Sequence, residues 1–144
     1  MASPDTDYHA WLLETAELVE HGRWEDVDLE TLAGEIRGVA RAQTRTLQTA
    51  VARWLEAGAR GHRDRARQEM ETIRRLLNRS PSLAGYESLR QRVYAAWRGV
   101  ERRLRDEGAP VPRVGPRDLD TAAGKIRRKL DVEVVFPLPS PASR

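Results

Sequence analysis

Residues that would share one face of an α-helix recur along this chain at spacings of three and four. In chain order they are Tyr8, Trp11, Leu12, Thr15, Leu18 and Val19; Leu29, Leu32, Ile36, Val39, Ala40, Leu47, Val51, Trp54 and Leu55; Ala66, Met70, Ile73, Leu76 and Leu77; and Tyr86, Leu89, Val93, Ala96, Trp97, Val100 and Leu104. The pattern predicts four main helices over residues 7–21, 28–57, 62–79 and 82–107, and a short fifth helix over 118–129.

Several residues mark the predicted helix ends. Gly22 is placed to end the first helix, and Asp28 and Asp118 are suitable N-caps for the second and fifth. Gly34 and Gly38 lie inside the second helix. Because an exposed glycine there costs about 1 kcal/mol relative to alanine, we expect these two to pack closely against another helix.

The short loops between the four main helices predict an antiparallel arrangement. The expected fold class is therefore all-α: one domain over residues 1–144, formed by an antiparallel bundle of four main helices, a short C-terminal helix and an extended tail over 130–144. Phe136 in the tail is expected to pack on the bundle. The spacing of Trp11, Trp54 and Trp97 suits a buried core, whereas an exposed Trp24 would indicate a contact surface.

Composition narrows the class of protein. Of the 144 residues, 40% are hydrophobic and 33% are charged, which suits a small globular domain. The chain has no cysteine, which excludes disulfides and thiol chemistry. It also has neither an apolar run of membrane-spanning length nor the pattern of a signal peptide at its N-terminus. We therefore expect a cytoplasmic protein with no membrane partner.

Three separated motifs resemble one known family. They are "DYHAWLLETAELVEHGRWEDVDLETLAGEI" at residues 7–36, "SPSL" at 80–83 and "LDVEVVFPLP" at 130–139. Their order and spacing are similar to those of the bacterial family catalogued only as domain of unknown function number twenty-nine. The central His-Leu-Leu-Lys-Trp, Gln-Pro and Ser-Trp segments typical of that family are missing here. The resemblance implies a small all-helical protein, and it implies no accepted activity, cofactor or partner.

The first motif contains a charged turn between two predicted helices. One hypothesis places Arg23, Asp28 and Glu35 in a charged pocket beside Trp24. The preferred interpretation is a structural hinge, in which Arg23 caps the first helix or pairs with Asp28 or Glu35 while Trp24 covers the turn.

Arginine is concentrated in the middle of the chain. Residues 1–44 contain 3 arginines and 10 acids, whereas residues 45–105 contain 15 arginines and 6 acids. These two parts could face each other within the fold. Alternatively, an arginine stripe on the third helix could contact phosphates of a nucleic acid. Its members are Arg60, Arg63, Arg67 and Arg74.

No catalytic motif is found in the sequence, and we expect neither an enzyme nor a bound cofactor. The three histidines, His9, His21 and His62, do not have the spacing of a zinc site, so no metal is expected. An unrecognised hydrolase would need an acidic or histidine cluster that spacing alone does not reveal. The sequence therefore favours a non-catalytic module that binds another protein, with nucleic-acid binding as the alternative.

Overall fold

The computed structural model describes residues 2–128, and within that range it leaves out the side chains of Tyr86 and Glu87. All of the regular secondary structure in this part of the chain is helical, so the fold is all-α as predicted. The five α-helices are α1 (Tyr8–Glu20), α2 (Leu29–Ala59), α3 (Arg63–Arg79), α4 (Tyr86–Asp106) and α5 (Pro116–Arg127). The predictions for the tail over 130–144, for Phe136 and for a core-facing Tyr86 lie outside the described residues.

Three of the helices end on a glycine with a positive φ angle. Gly22, Gly61 and Gly108 have φ angles of 67°, 73° and 68°. At each site the glycine N–H and the following N–H donate to the last free carbonyls of the helix, which is the Schellman motif. Gly22 therefore ends α1 as the sequence predicted.

Two helix starts differ from the prediction. The fourth helix was expected from residue 82, but Pro81–Ala84 form a separate 3₁₀ turn and α4 begins after Gly85. Asp118 is not the N-cap of α5, because the helix begins at Pro116. The Asp118 carboxylate instead accepts a hydrogen bond of 2.9 Å from the Gly115 N–H. Proline suits the first turn of a helix, since it lacks the N–H that would have no partner there.

The described residues fall into two compact units, which divide within α2 between Arg41 and Ala42. We call residues 2–41 the N-terminal unit and residues 42–128 the C-terminal unit. The prediction that the whole chain is a single domain stays a prediction.

The C-terminal unit contains one continuous hydrophobic core. It includes the predicted inward positions of α3 and α4 and extends into α2 and α5. Trp54 is fully buried and Trp97 nearly so, as expected. Arg90 and Tyr94 of α4 reach Asp120 and Pro116 of α5, respectively. Since the later residue on α4 meets the earlier one on α5, these two helices are antiparallel.

The N-terminal unit buries much less. Its buried residues are Trp11, Thr15 and Val27. The expectation that Gly34 and Gly38 pack closely is wrong, because a Cβ atom at either position would meet no atom of the described residues within 4 Å.

Candidate functional site

Arg23 lies at the turn after α1, and its backbone N–H caps the helix through the Leu18 carbonyl at 2.9 Å. Its guanidinium Nη2 lies 2.6 Å from Asp26 Oδ2. The hypothesis that this side chain pairs with Asp28 or Glu35 is wrong. The reason is local: residues 24–26 form a 3₁₀ turn, which brings Asp26 to the arginine three positions before it.

Asp28 is the N-cap of α2, as predicted. Its carboxylate accepts hydrogen bonds from the Thr31 N–H at 3.1 Å and from the Thr31 hydroxyl at 2.7 Å. These bonds favour the ionised carboxylate, the hydroxyl bond most of all, and they hold the Asp28 pKa below its ordinary value. Asp28 therefore anchors the start of the helix.

Glu35 interacts with Tyr8 of α1 across the N-terminal unit. A hydrogen bond to this carboxylate raises the pKa of the Tyr8 phenol. The Trp24 side chain, in contrast, remains 54% exposed. The structure therefore gives Arg23, Asp28 and Glu35 three separate local partners and does not join them to one another.

A group of large apolar side chains on the N-terminal unit is exposed. We call it the N-terminal apolar surface, and its members, between 39% and 61% exposed, are Tyr8, Leu12, Leu13, Trp24, Leu29, Ile36 and Val39. Among the described residues, these are the large hydrophobic side chains that remain exposed, and all lie between positions 8 and 39. Single exposed apolar residues are ordinary; here all of the large ones in the described residues belong to the N-terminal unit.

The first half of α2 contributes three members of this surface. Within the described structure, no residue from 29 to 46 is buried, and the buried positions of α2 begin at Leu47. Sequence reasoning missed this exposure, because periodicity shows which residues share a face and not whether another element covers it. Gly34 and Gly38 could have indicated this exposure, since two glycines weaken a helix unless they allow another element to pack closely.

The N-terminal unit is also acidic. Residues 1–41 contain ten acids and three arginines, a formal net charge of −7. A surface that combines exposed apolar groups with one sign of charge attracts partners that have the opposite sign.

The predicted arginine stripe does not form one continuous row on α3. Arg60 follows the last residue of α2, and the Gly61 turn separates it from α3. Its guanidinium lies 2.5 Å from Glu107 and 3.2 Å from Glu56, and the bond to Glu107 is the main cause of its raised pKa. Arg67 Nη1 lies 3.9 Å from Asp64 Oδ1, and Arg74 Nη1 lies 3.0 Å from Glu71 Oε2. Arg63 is exposed at the start of α3.

A second polar cluster joins α4 to α5. Arg90 donates to Asp120 at 2.6 Å, and the guanidinium lies 5.2 Å from the centre of the Tyr94 ring. The Tyr94 hydroxyl lies 3.0 Å from the same carboxylate. The arginine bond is the main cause of both the raised Arg90 pKa and the lowered Asp120 pKa. These contacts connect two helices of the same unit, which is a structural role.

Residues 2–128 contain neither a metal-binding cluster nor a membrane-spanning helix. No three histidine, aspartate or glutamate side chains in this range converge on a position that could hold a metal ion. None of the helices there combines the length and the apolar character that a membrane crossing requires.

Comparison with known proteins places the chain in one family. The model of the family described as "Domain of unknown function DUF29" matches residues 5–111. No curated protein and no solved structure gives a significant match. The family match covers most of the chain and includes both the N-terminal motif and the Ser80–Leu83 motif noted in the sequence. The chain therefore belongs to the DUF29 family.

Proposed function

We propose that this protein is a non-catalytic module that binds another protein through its N-terminal apolar surface. The observation that supports the proposal is the concentration of exposed large hydrophobic residues between positions 8 and 39. Covering such residues removes apolar area from water, at about 25 cal/mol per Å². A bound protein would cover these apolar side chains, which the described residues leave exposed. The cytoplasmic location expected from the sequence is part of this proposal.

Trp24 is the side chain that we expect to contribute most to binding. Tryptophan is enriched among the residues that dominate protein interfaces, because it combines a large apolar area with one N–H donor. Here it lies on a short 3₁₀ turn that is fixed on both sides, by the Gly22 cap and by the Asp28 cap. An anchored turn presents the indole with little loss of conformational freedom on binding.

Nucleic-acid binding through Arg60, Arg63, Arg67 and Arg74 is the alternative, and it has less support. Three of these four guanidinium groups already lie within 4 Å of a carboxylate. A phosphate would have to compete with those carboxylates.

Quantitative affinity capture tests the proposal. Wild-type protein and a variant with Leu13→Ser, Trp24→Ser and Leu29→Ser would be used as bait in extracts treated with nuclease. The replaced side chains are more than half exposed, so the variant should fold. Gln68→Ser with Gln91→Ser, at exposed positions of the C-terminal unit, is the matched control. We expect a protein captured by the wild type and the control but lost by the triple variant. Equal capture by all three would contradict the proposal.

A gel-shift series with short DNA and RNA tests the alternative. Binding that weakens steeply with salt, and that Arg63→Gln reduces, would favour nucleic acid over a protein partner.

A further inference from the structure

The end of α2 and the start of α3 line a cavity of about 330 Å³, which we call the α2–α3 cavity. Its lining residues are Arg53, Glu56, Ala57, Arg60, His62 and Arg65. The members from 53 to 60 recur at spacings of three, four and seven, so they share one face of α2 and its end. The Gly61 turn, with a φ angle of 73°, ends α2 and brings His62 and Arg65 to the same cavity. All of these residues belong to the C-terminal unit.

Two arginines of the cavity have no carboxylate partner. In the described structure, the Arg53 and Arg65 side chains form neither a hydrogen bond nor an ion pair. The His62 ring also lacks a hydrogen bond there, including any to the first turn of α3. Asp64 is not part of the lining, and its carboxylate lies 3.9 Å from Arg67. The cavity therefore presents N–H donors that the described part of the protein does not use.

Arg60 is held in place by two carboxylates. Its Nη2 lies 3.2 Å from Glu56 and also contacts Glu107, while 28% of its side chain stays exposed. Because both contacts use Nη2, the N–H groups on Nε and Nη1 remain available to a ligand. Glu56 is shared with Arg103, at 3.4 Å. Arg60 is therefore a pre-positioned donor, and little conformational freedom is lost when it binds.

The charge and size of the cavity define the class of ligand. Three arginines and one glutamate give the lining a formal charge of +2, with His62 counted as neutral. Glu107 and Arg103, which contact these residues from outside the lining, add opposite charges. A phosphate monoester carries a charge of about −1.5 to −2 near pH 7, and its oxygens match the forked donors of arginine. A volume of about 330 Å³ lies at the small end of the range for small-molecule sites.

We propose that the α2–α3 cavity binds the phosphate group of a small phosphorylated molecule. Arg53 and Arg65 would neutralise its two charges, and Arg60 would supply a fixed third donor. An internal phosphate of a nucleic acid carries a single negative charge, so it would leave part of the positive charge uncompensated. The inference does not depend on the proposed function, because none of the lining residues belongs to the N-terminal apolar surface.

Nuclear magnetic resonance titration of the ¹⁵N-labelled protein with glycerol 3-phosphate, at constant ionic strength, tests the proposal. We expect saturating shifts of the backbone amides of residues 53–65. Arg53→Gln with Arg65→Gln should weaken binding by about tenfold or more, because charge-assisted hydrogen bonds are lost. Both side chains are exposed, so this variant should fold. Arg98→Gln with Arg102→Gln, at exposed positions of α4 outside the lining, removes the same charge and should bind as the wild type does.

Three outcomes would overturn the proposal. The first is the absence of saturating shifts at residues 53–65. The second is equal weakening in both double variants, which would show attraction to the overall charge and no defined site. The third is equally tight binding of dimethyl phosphate, a diester with a single negative charge, which would point to a nucleic-acid backbone instead.

Discussion

The same substitution at two glycines of α4 should change stability in opposite directions. Gly99 lies inside the helix, whereas Gly108 caps its C-terminal end with a φ angle of 68°. At both sites a Cβ atom would meet no atom of the described residues within 4 Å. Steric contact therefore contributes equally little at the two positions, and backbone conformation decides the outcome.

The expected magnitudes come from the backbone conformations. Alanine favours a helix interior over glycine by about 1 kcal/mol, so Gly99→Ala should raise the free energy of unfolding by that amount. The left-handed conformation costs an L-residue about 1–2 kcal/mol, so Gly108→Ala should lower the free energy of unfolding by a similar amount. The two variants should differ by about 2–3 kcal/mol.

Urea unfolding followed by circular dichroism at the helical band measures both variants against the wild type. The free energies are comparable if all three proteins have the same dependence on denaturant. Destabilisation by Gly99→Ala, or no loss from Gly108→Ala, would refute the reasoning from backbone conformation.

Three other outcomes are expected. Gly34→Ala with Gly38→Ala should increase helical content, since both sites have open space; unchanged circular dichroism would contradict this. Leu104→Ala should lower the free energy of unfolding by about 2–5 kcal/mol, because Leu104 is fully buried; a urea midpoint equal to that of the wild type would be inconsistent with its position. Because the Asp120 pKa is lowered chiefly by Arg90, its ionised form stabilises the fold above the unfolded pKa of about 4, and this contribution is lost as pH falls through the lower folded pKa. The Asp120→Asn variant should therefore lose less stability than the wild type between neutral and acidic pH, as measured by thermal unfolding. Equal losses in the two proteins would show that the Arg90–Asp120 bond is unimportant.

The helices of the C-terminal unit were predictable because a 3.6-residue period and a continuous core coincide there. All five predicted inward positions of α3 belong to the core or pack against it, from Ala66 to Leu77. The Asp118 prediction failed because proline at the first helical position was a stronger signal than an aspartate two residues later.

The candidate site was harder to predict, because it depends on what remains uncovered. Leu29, Ile36 and Val39 have the same periodicity as buried positions, yet each is more than half exposed. The hypothesis that Arg23 pairs with Asp28 or Glu35 failed because of the local backbone conformation. A 3₁₀ turn of three residues was not visible in the pattern, and it determines which acid the guanidinium reaches.

Photo-cross-linking in the cells that make the protein tests the central claim most directly. A photoreactive phenylalanine analogue would replace Ile36, and the control would place it at Gln91. We expect irradiation to attach a protein to position 36 and none to position 91, with the adduct surviving nuclease treatment. Equal labelling at both positions, or an adduct that nuclease removes, would contradict the assignment of the N-terminal apolar surface as a protein-binding site.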